Sequence, residues 1–221
     1  MTTDALIAQA CRILGQGGQD HFCYGHVSAR VDQDAIAIKA AGFPLATLDT
    51  EQVARVGLDG TNLTSHLRLH DETVMHLAIY RSRPDVRAIV HTHPVISHAA
   101  SLHGPPDGVY SQDQVVFADS LAFYDSALLV SDETSAAEFA ACLGDNRAAL
   151  LRAHGLLTVG GSVEEAVVLA VLLDRAMHLM LTARSAGHVS AMRADEVTEL
   201  RTRFDRAHAT RVRDVWDALT R

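Results

Sequence analysis

The sequence has few cysteines, and their spacing suits neither a disulfide framework nor a thiolate metal site. Its 221 residues include three cysteines, Cys11, Cys23 and Cys142. Their number is odd and no two of them form a CxxC pair, so neither paired bridges nor cysteine ligands are indicated. We interpret all three as small buried residues.

The chain also has no excess of positive charge. It contains 19 Lys and Arg against 27 Asp and Glu, which gives a formal net charge of −8. This balance provides no electrostatic footprint for nucleic acid or for an anionic membrane surface, so we expect no partner of either kind. The first residues contain an acid at Asp4 and no basic segment, and no apolar run suggests a bilayer span. We therefore expect a cytoplasmic protein without a membrane-spanning segment.

Several familiar catalytic patterns are missing. No P-loop, GxGxxG or GxSxG is present, so nucleotide binding through such loops and serine-nucleophile chemistry are not indicated. What the chain does have is an ordinary globular composition, with 48% apolar and 21% charged residues. A chain of this length can bury a core of its own, and we expect residues 1–221 to form a single domain.

Histidine is abundant, with 13 residues, and two of them lie in the segment AIVHTHP at 88–94. The apolar residues 88–90 predict a short buried strand. Alternate side chains of a strand project to the same face, so His91 and His93 point the same way and can chelate one metal ion. An HxH pair alone is a weak indication, because such pairs also occur as hydrogen-bonded surface histidines.

Two other positions strengthen the metal hypothesis. A strand predicted at 148–151 ends close to His154-Gly155, and if it lies near the HxH strand, three imidazoles converge on one open metal site. Glu72, in the first turn of a helix predicted from Leu69 to Pro84, adds a carboxylate. That carboxylate suits a fourth ligand, a general base, or both. Its structural alternative is a favourable acid at a helix N-terminus.

Hydrophobic periodicity predicts an α/β sandwich with a largely antiparallel sheet, since regular βαβ alternation is absent. The remaining helices are predicted over 4–14, 93–103, 133–143, 163–186 and 195–219. The remaining strands are predicted over 24–31, 35–39, 50–60, 127–130 and 156–159.

Three segments resemble the class II aldolase/adducin superfamily in matching order: GHVSAR (25–30), ETVMHLAIYRSRPDVRAIVHTHP (72–94) and LLRAHGLLTVGGSVEEA (150–166). The resemblance implies an α/β/α domain that assembles into a homotetramer with active sites at subunit interfaces. It also implies one divalent metal ion held by three histidines and a glutamate. Histidine and carboxylate ligands suit Zn²⁺, Mn²⁺, Fe²⁺ or Co²⁺, so the sequence leaves the metal open.

The resemblance assigns roles to individual residues. It makes His91, His93 and His154 metal ligands, and Glu72 both a ligand and the catalytic acid/base. Tyr110 lies on the stretch where an aldolase places a proton-donating tyrosine that serves the neighbouring subunit. The adducin branch is a cytoskeletal module without a catalytic metal site, and the complete ligand set argues against it.

The substrate end departs from the sugar-phosphate aldolases. Their phosphate-binding Gly-Asn, Thr-Gly and Ser-Ser pairs align with 25–26, 41–42 and 70–71, where several hydrogen-bonding side chains are replaced and Asp71 would repel phosphate. Carboxylate or hydroxyl binding by His26, His70 or Arg30 is the alternative, with His208 closing over the site. The expected substrate-binding residues are therefore Gly25, His26, Arg30, Gly42, His70, Asp71 and His208.

The GHVSAR variant and the C-terminal VWDAL (215–219) resemble a branch of the family that decarboxylates hydroxylated aromatic acids. Aldolases and these decarboxylases both break a C–C bond and leave an enolate or phenolate that a metal stabilises. The leading hypothesis is a metal-dependent decarboxylase or aldolase acting on a non-phosphorylated hydroxy or oxo acid. The alternatives are a sugar-phosphate aldolase or epimerase, and a non-catalytic adducin-like interaction module.

Overall fold

The computed structural model describes all residues, 1–221, and contains one seven-stranded sheet and six α-helices. The strands are β1 (His26–Arg30), β2 (Ala35–Lys39), β3 (Val53–Gly57), β4 (Ala88–Thr92), β5 (Leu121–Tyr124), β6 (Ala148–Leu151) and β7 (Gly155–Gly160). The helices are α1 (Thr3–Leu14), α2 (Thr73–Ser82), α3 (Val95–Ser101), α4 (Glu133–Leu143), α5 (Val163–Ser185) and α6 (Ala194–Leu219).

The strand order is β3-β2-β1-β4-β7-β6-β5. Every neighbouring pair is antiparallel except β5 and β6, which run parallel at one edge. The prediction of a largely antiparallel sheet is therefore confirmed. The order also places β4 between β1 and β7, so the HxH strand lies at the centre of the sheet.

Helices cover both faces of the sheet, which confirms the α/β/α layering. Alternate strand residues face opposite layers. Val27 of β1 and Val90 of β4 pack in the core that includes α1 and α5, whereas Ile89 packs in the second core with α2 and α4. His26 and Ser28 of β1 consequently face the α2 layer. This parity decides which helix the polar residues of β1 meet.

Helix α5 corrects the expectation that no segment resembles a bilayer span. Its 23 residues, Val163–Ser185, are long and apolar enough to cross a membrane by length and composition. Most of its apolar residues are buried, however, in the core against the sheet. Helix α5 is the central packing helix of one layer. A helix that its neighbours cover on most sides is apolar around most of its circumference, which the sequence prediction did not take into account.

Three element predictions also need correction. The apolar run 127–130 is a loop in which Leu128 is 78% exposed, and the edge strand is β5 instead. The stretch predicted as a strand from Thr50 begins as a 3₁₀ turn, and β3 spans only Val53–Gly57. Helix α2 starts at Thr73, so Glu72 is its N-cap residue and does not lie in the first turn.

Candidate metal centre

Three elements, β4, β7 and α2, place one end each at the same side of the sheet. His91 lies near the end of β4, and His93 follows that strand directly. The neighbouring strand β7 runs antiparallel and begins at Gly155, so His154 arrives at the same edge. Glu72 caps α2 above it. The structure thus brings together the four residues predicted to bind metal, although they are spread over 83 positions of the sequence (154 − 72 + 1).

The ligand atoms of these four residues face one another. The Nε2 atom of His93 lies 2.9 Å from that of His91 and 3.0 Å from that of His154. The Glu72 carboxylate is 3.5 Å from both His91 Nε2 and His154 Nε2. All four ligand atoms lie within 4.8 Å of one another. Three imidazoles and one carboxylate in this arrangement form a donor set that suits a divalent transition metal.

The turn between β6 and β7 has a backbone shape that brings His154 into the cluster. Ala153 adopts a positive φ of 54°, which is uncommon for a residue with a side chain. Next to His154, a Cβ on Gly155 would lie 2.3 Å from the carbonyl oxygen of Thr92 and 3.0 Å from the His93 ring. Glycine is therefore required there for β7 to approach the end of β4.

Two hydrogen-bonding observations support the fit of a metal ion. His91 Nδ1 donates to the carbonyl oxygen of Leu156 at 2.8 Å, which leaves the Nε2 lone pair directed at the cluster. The Glu72 Oε1 atom is buried and has no hydrogen-bond partner. Buried carboxylate oxygens are costly without a partner, and a cation would satisfy this one.

The electrostatics keep His93 and His154 neutral and the glutamate ionised. Burial, reinforced by the neighbouring imidazoles, lowers the pKa of His93 to about 2 and that of His154 to about 4. Burial alone would raise the pKa of Glu72, but His91 and His26 outweigh burial and hold it well below its usual range. Neutral imidazoles with free lone pairs and a carboxylate are the protonation states that bind metals.

These shifts predict that acid destabilises the metal-free protein. Burial lowers the pKa values of both His76 and His70 to about 3, so the folded state resists protonation that the unfolded chain accepts below about 6.5. The unfolded state binds more protons, and stability must fall as the pH drops from 6.5 towards these values. Each such histidine contributes at most about 1.4 kcal/mol per pH unit.

Urea denaturation of the metal-free protein at pH 7, 6 and 5 measures this effect. We expect the unfolding free energy to fall steadily below pH 6.5, and His76→Gln should reduce the slope by close to one proton. An unchanged unfolding free energy between pH 7 and pH 5 would contradict the buried neutral state of these side chains.

Glu72 lines a pocket of about 100 Å³. The predicted residues Gly42, His70 and Asp71 all line it, so the structure unites them with the acid/base candidate. Its other lining residues are Cys23, Tyr24, Ala41, Arg68 and Leu129. Gly25 packs instead against Leu45 and the backbone of His91, and its positive φ of 80° serves the turn into β1.

Arg68 is a pocket residue that the sequence reasoning missed. It is exposed, forms no ion pair or side-chain hydrogen bond within the chain, and its Nη2 atom lies 3.7 Å from where a Cβ on Gly42 would sit. An unpaired guanidinium at a pocket is suited to a carboxylate or another anion. Arg68 lies two residues before His70, in the segment that leads to Glu72. This position is the signal that would have suggested Arg68 as a pocket residue.

A second cation lies behind the pocket wall. The Nζ atom of buried Lys39 donates to the carbonyl oxygen of Cys23 at 2.9 Å and to His70 Nε2 at 3.2 Å. Burial lowers the pKa of Lys39 to about 8, so its ammonium group remains mostly charged at neutral pH. The ammonium fixes the orientation of the His70 ring and adds positive potential beneath the pocket.

Three of the expected substrate-binding residues lie elsewhere. His26 is completely buried, with Nε2 3.5 Å from Glu72, so it faces the carboxylate and not the pocket. Arg30 is four residues further along β1, where it donates to the carbonyl oxygen of Tyr80. His208 pairs with Glu165 in the first turn of α5, at the opposite end of the sheet. Arg30 is separated from the site by the length of β1. His208 is separated from it by the direction in which the helix runs.

Tyr110 lies outside the cluster of its own chain. Its hydroxyl donates to Asp107 at 2.6 Å and accepts a hydrogen bond from Arg184 near the end of α5. The expectation that it serves a neighbouring subunit stays a prediction, because the structure is that of one chain.

Comparison with known proteins identifies relatives of this chain. Residues 5–181 match the family described as the Class II Aldolase and Adducin N-terminal domain. A 3,4-dihydroxyphthalate decarboxylase of Arthrobacter keyseri is 33% identical over 194 residues, which cover 82% of this chain and 78% of the relative.

Solved structures share the fold. An aldolase II superfamily protein from Pseudomonas syringae has a TM-score of 0.87 and 27% identity, over 98% of this chain and 90% of that one. The L-fuculose 1-phosphate aldolase of Glaciozyma antarctica has the same TM-score at 22% identity, over 98% of this chain and 88% of the other, and this likeness concerns the fold alone. Because the sequence relative is a decarboxylase, the comparison supports an enzyme of the lyase type.

Proposed function

The chain belongs to the class II aldolase and adducin family, and from this premise we propose that it is a divalent-metal-dependent carbon–carbon lyase. Its substrate is a non-phosphorylated hydroxy or oxo acid, and decarboxylation of a hydroxylated aromatic acid is the reaction we favour. The proposal rests chiefly on the cluster of Glu72, His91, His93 and His154 and on the pocket that Glu72 lines together with Arg68. The dihydroxyphthalate decarboxylase relative supports the choice of reaction.

His91, His93 and His154 would hold the metal ion, together with Glu72. When bound, a divalent cation supplies Lewis acidity that stabilises negative charge on an oxygen next to the carbon being released. The chain contributes by fixing the orientation of the three imidazoles and by keeping Glu72 ionised. The donor set leaves the identity of the metal open among Zn²⁺, Mn²⁺, Fe²⁺ and Co²⁺.

Glu72 is the proposed acid/base. Breaking the bond to the departing carboxylate leaves an electron pair on carbon, and that carbon must then accept a proton. Glu72 is 7% exposed, lines the pocket and is ionised, so it can take up the proton of a substrate hydroxyl group and then deliver that proton to the carbon. Its free Oε1 atom makes it available either as a ligand or as the proton carrier.

Charges in the pocket select the substrate. Arg68 offers a planar fork that pairs with a carboxylate through two hydrogen bonds. Asp71 beside it would repel a second full charge, which disfavours a phosphate dianion more than a carboxylate. A sugar-phosphate aldolase or epimerase is therefore the less favoured assignment.

Ligand-dependent thermal stability tests the substrate class. A ligand that binds only the folded state stabilises it, by about 2.7 kcal/mol at one hundred times its dissociation constant. We expect 3,4-dihydroxyphthalate or a related aromatic hydroxy acid to raise the melting temperature of the metal-loaded protein, and L-fuculose 1-phosphate to leave it unchanged. Stabilisation by the sugar phosphate alone would overturn the proposed substrate.

Replacement of Arg68 tests the carboxylate contact. Arg68→Gln should raise KM for the aromatic acid with a smaller change in kcat, since the guanidinium binds a group that does not react. Loss of a charge-assisted hydrogen bond of about 1.5–3 kcal/mol predicts about a 10- to 100-fold increase. The control is Arg193→Gln, an exposed arginine paired with Asp195 and Glu196 at the start of α6. An unchanged KM for Arg68→Gln would remove this residue from the site.

Apolar side chains around the cluster support an assembly with interfacial active sites. Val95 and Phe22 are 79% and 76% exposed, and the His21 ring beside Phe22 contacts His93. Tyr24 and Leu129, which line the same pocket as Glu72, are the other exposed apolar residues of this rim. Apolar patches near a site often mark a subunit interface. We assign this rim to a homotetramer contact through which Tyr110 reaches a neighbouring site, and sedimentation of a monomer at working concentration would refute it.

The chain is proposed to act as one domain over residues 1–221. Helix α6 lies beyond the family match, but Trp216 and Val212 pack against the same core as α5. A truncation before Ala194 should therefore destabilise the remaining chain. Unchanged melting of that truncated chain would make α6 a separate unit.

A further inference from the structure

A line of buried polar side chains runs from Glu72 into the space between β1 and α2. His26 Nε2 lies 3.5 Å from Glu72 Oε2, and its Nδ1 lies 2.8 Å from His76 Nε2. His76 Nδ1 is 2.7 Å from the Ser28 hydroxyl, which is 2.9 Å from the Tyr80 hydroxyl. The line thus alternates between residues of β1 and α2.

All members of this line are buried. His26, Ser28 and His76 have no exposed surface, and Tyr80 is 2% exposed. An apolar core would be the simpler filling between β1 and α2, and buried polar groups are tolerated only when they are hydrogen-bonded. Each internal link of the line has good hydrogen-bond geometry, so the line is a continuous network and not a set of isolated polar residues.

The carboxylate at one end determines the direction of every hydrogen bond. The group that faces His26 Nε2 is Glu72 Oε2 at 3.5 Å, which is longer than an ordinary hydrogen bond, and Nε2 has no hydrogen-bond partner in the chain. An ionised carboxylate attracts an N–H and repels a bare ring nitrogen, so in a neutral His26 the proton belongs on Nε2. His26 Nδ1 must then accept from His76 Nε2–H, and His76 Nδ1 must accept from the Ser28 hydroxyl. Tyr80 finally donates to Ser28. In the reverse direction the bare His26 Nε2 would face a carboxylate oxygen, which places two acceptors against each other.

We propose that His76, Ser28 and Tyr80 are positioning residues that hold His26 in its Nε2–H tautomer, so that His26 presents an N–H to Glu72 and orients the carboxylate towards the histidine cluster. The consequence for metal binding and turnover rests on the proposed function, whereas the tautomer assignment rests on the geometry alone. His76 acts through His26, since its own hydrogen bonds go to His26 and Ser28.

Two substitutions at His76 separate positioning from packing. In His76→Gln the amide can donate to His26 and accept from Ser28, whereas in His76→Leu the volume is filled without either bond. We expect His76→Leu to weaken Mn²⁺ or Zn²⁺ binding about 10- to 100-fold, the effect usual for partners of metal ligands, and His76→Gln to retain most of the affinity. A purely structural role predicts equal losses, or a smaller loss for leucine.

Controls keep the test informative if His76→Leu is unstable. Ser28→Ala removes a single hydroxyl from the line and should weaken metal binding in the same direction. Thr158→Val removes a hydroxyl that is equally buried but bonds to Ala166, and it should reduce stability while leaving metal affinity unchanged. In a Glu72→Ala background the difference between His76→Leu and His76→Gln should disappear, because the end point of the line is absent.

The tautomers themselves are measurable without activity. In the metal-free protein, ¹⁵N chemical shifts distinguish an N–H from a bare ring nitrogen, and His26 and His76 should both be Nε2–H. An Nδ1–H tautomer at either residue, or equal metal affinity for the two His76 variants, would overturn the proposal. A wild-type protein that binds no divalent metal but shows the predicted tautomers would instead contradict the proposed function and leave the network intact.

Discussion

His91→Ala is expected to abolish stoichiometric metal binding and to reduce lyase turnover by about three powers of ten, because metal stabilisation of developing charge is worth several kcal/mol. His91 is completely buried at the centre of the cluster, and its orientation is fixed by the carbonyl oxygen of Leu156. Its loss therefore removes a ligand that no neighbour can replace.

Elemental analysis of wild-type protein and of this variant provides the measurement. Wild type should contain one divalent ion per chain, and the variant should contain far less. His178→Ala is the matched control, since His178 is exposed on α5 and outside the cluster. Wild-type protein without metal, and a variant unchanged in every property, would favour the adducin-like interaction module.

Glu72→Gln should abolish turnover while the protein retains much of its metal. The amide fills the same space and can still contact a cation through oxygen, but it cannot take up and return a proton. Loss of general acid–base catalysis costs about 10²- to 10⁴-fold. Three imidazoles remain to hold the ion, so metal content should fall less than kcat.

The comparison of the two losses identifies the main role of Glu72. A fall in kcat much larger than the fall in metal content assigns it as the acid/base. Equal falls would make it mainly a ligand, and unchanged turnover would exclude it from the reaction. His91→Ala measured in parallel shows how turnover responds when metal binding itself fails.

The cluster proposed to bind metal was predictable, because its geometry follows from where regular strands and helices end. His91 and His93 flank the end of β4, and His154 precedes β7, so a correct strand assignment brings their side chains to one edge. Strand periodicity and the position of Gly155 contain this information. Glu72 was a candidate from its predicted helix, and the family resemblance added its role as both ligand and acid/base. Its place at the N-cap of α2 differs from the predicted first turn.

The residues proposed to bind substrate were harder to predict, because their positions depend on loops and on the direction in which each element runs in the folded chain. Arg68 lies in a loop without periodicity, and only the folded chain shows that its guanidinium reaches Gly42 and lacks a partner. Arg30 and His208 lie on elements that were predicted correctly. Arg30 is the last residue of β1 and donates to Tyr80, and His208 lies in the middle of α6 and pairs with Glu165, so neither side chain is beside the cluster within one chain.

His26 illustrates a third limit. Its position at the start of β1 was correct, yet its side chain faces α2 and not the pocket, because strand parity places it in the same layer as His76. A prediction that considered the α2 histidine four residues after Glu72 would have paired the two. The edge strand β5 was missed because the apolar run at 127–130 was assigned as a strand, whereas that run is a loop.

Metal-dependent release of CO₂ from 3,4-dihydroxyphthalate by the purified protein is the most direct test of the central claim. After removal of metal with a chelator the protein should be inactive, and Mn²⁺ or Zn²⁺ should restore release of one CO₂ per substrate consumed. Activity that is indifferent to the chelator, or aldehyde release from L-fuculose 1-phosphate with no CO₂ from the aromatic acid, would contradict a metal-dependent lyase of non-phosphorylated acids.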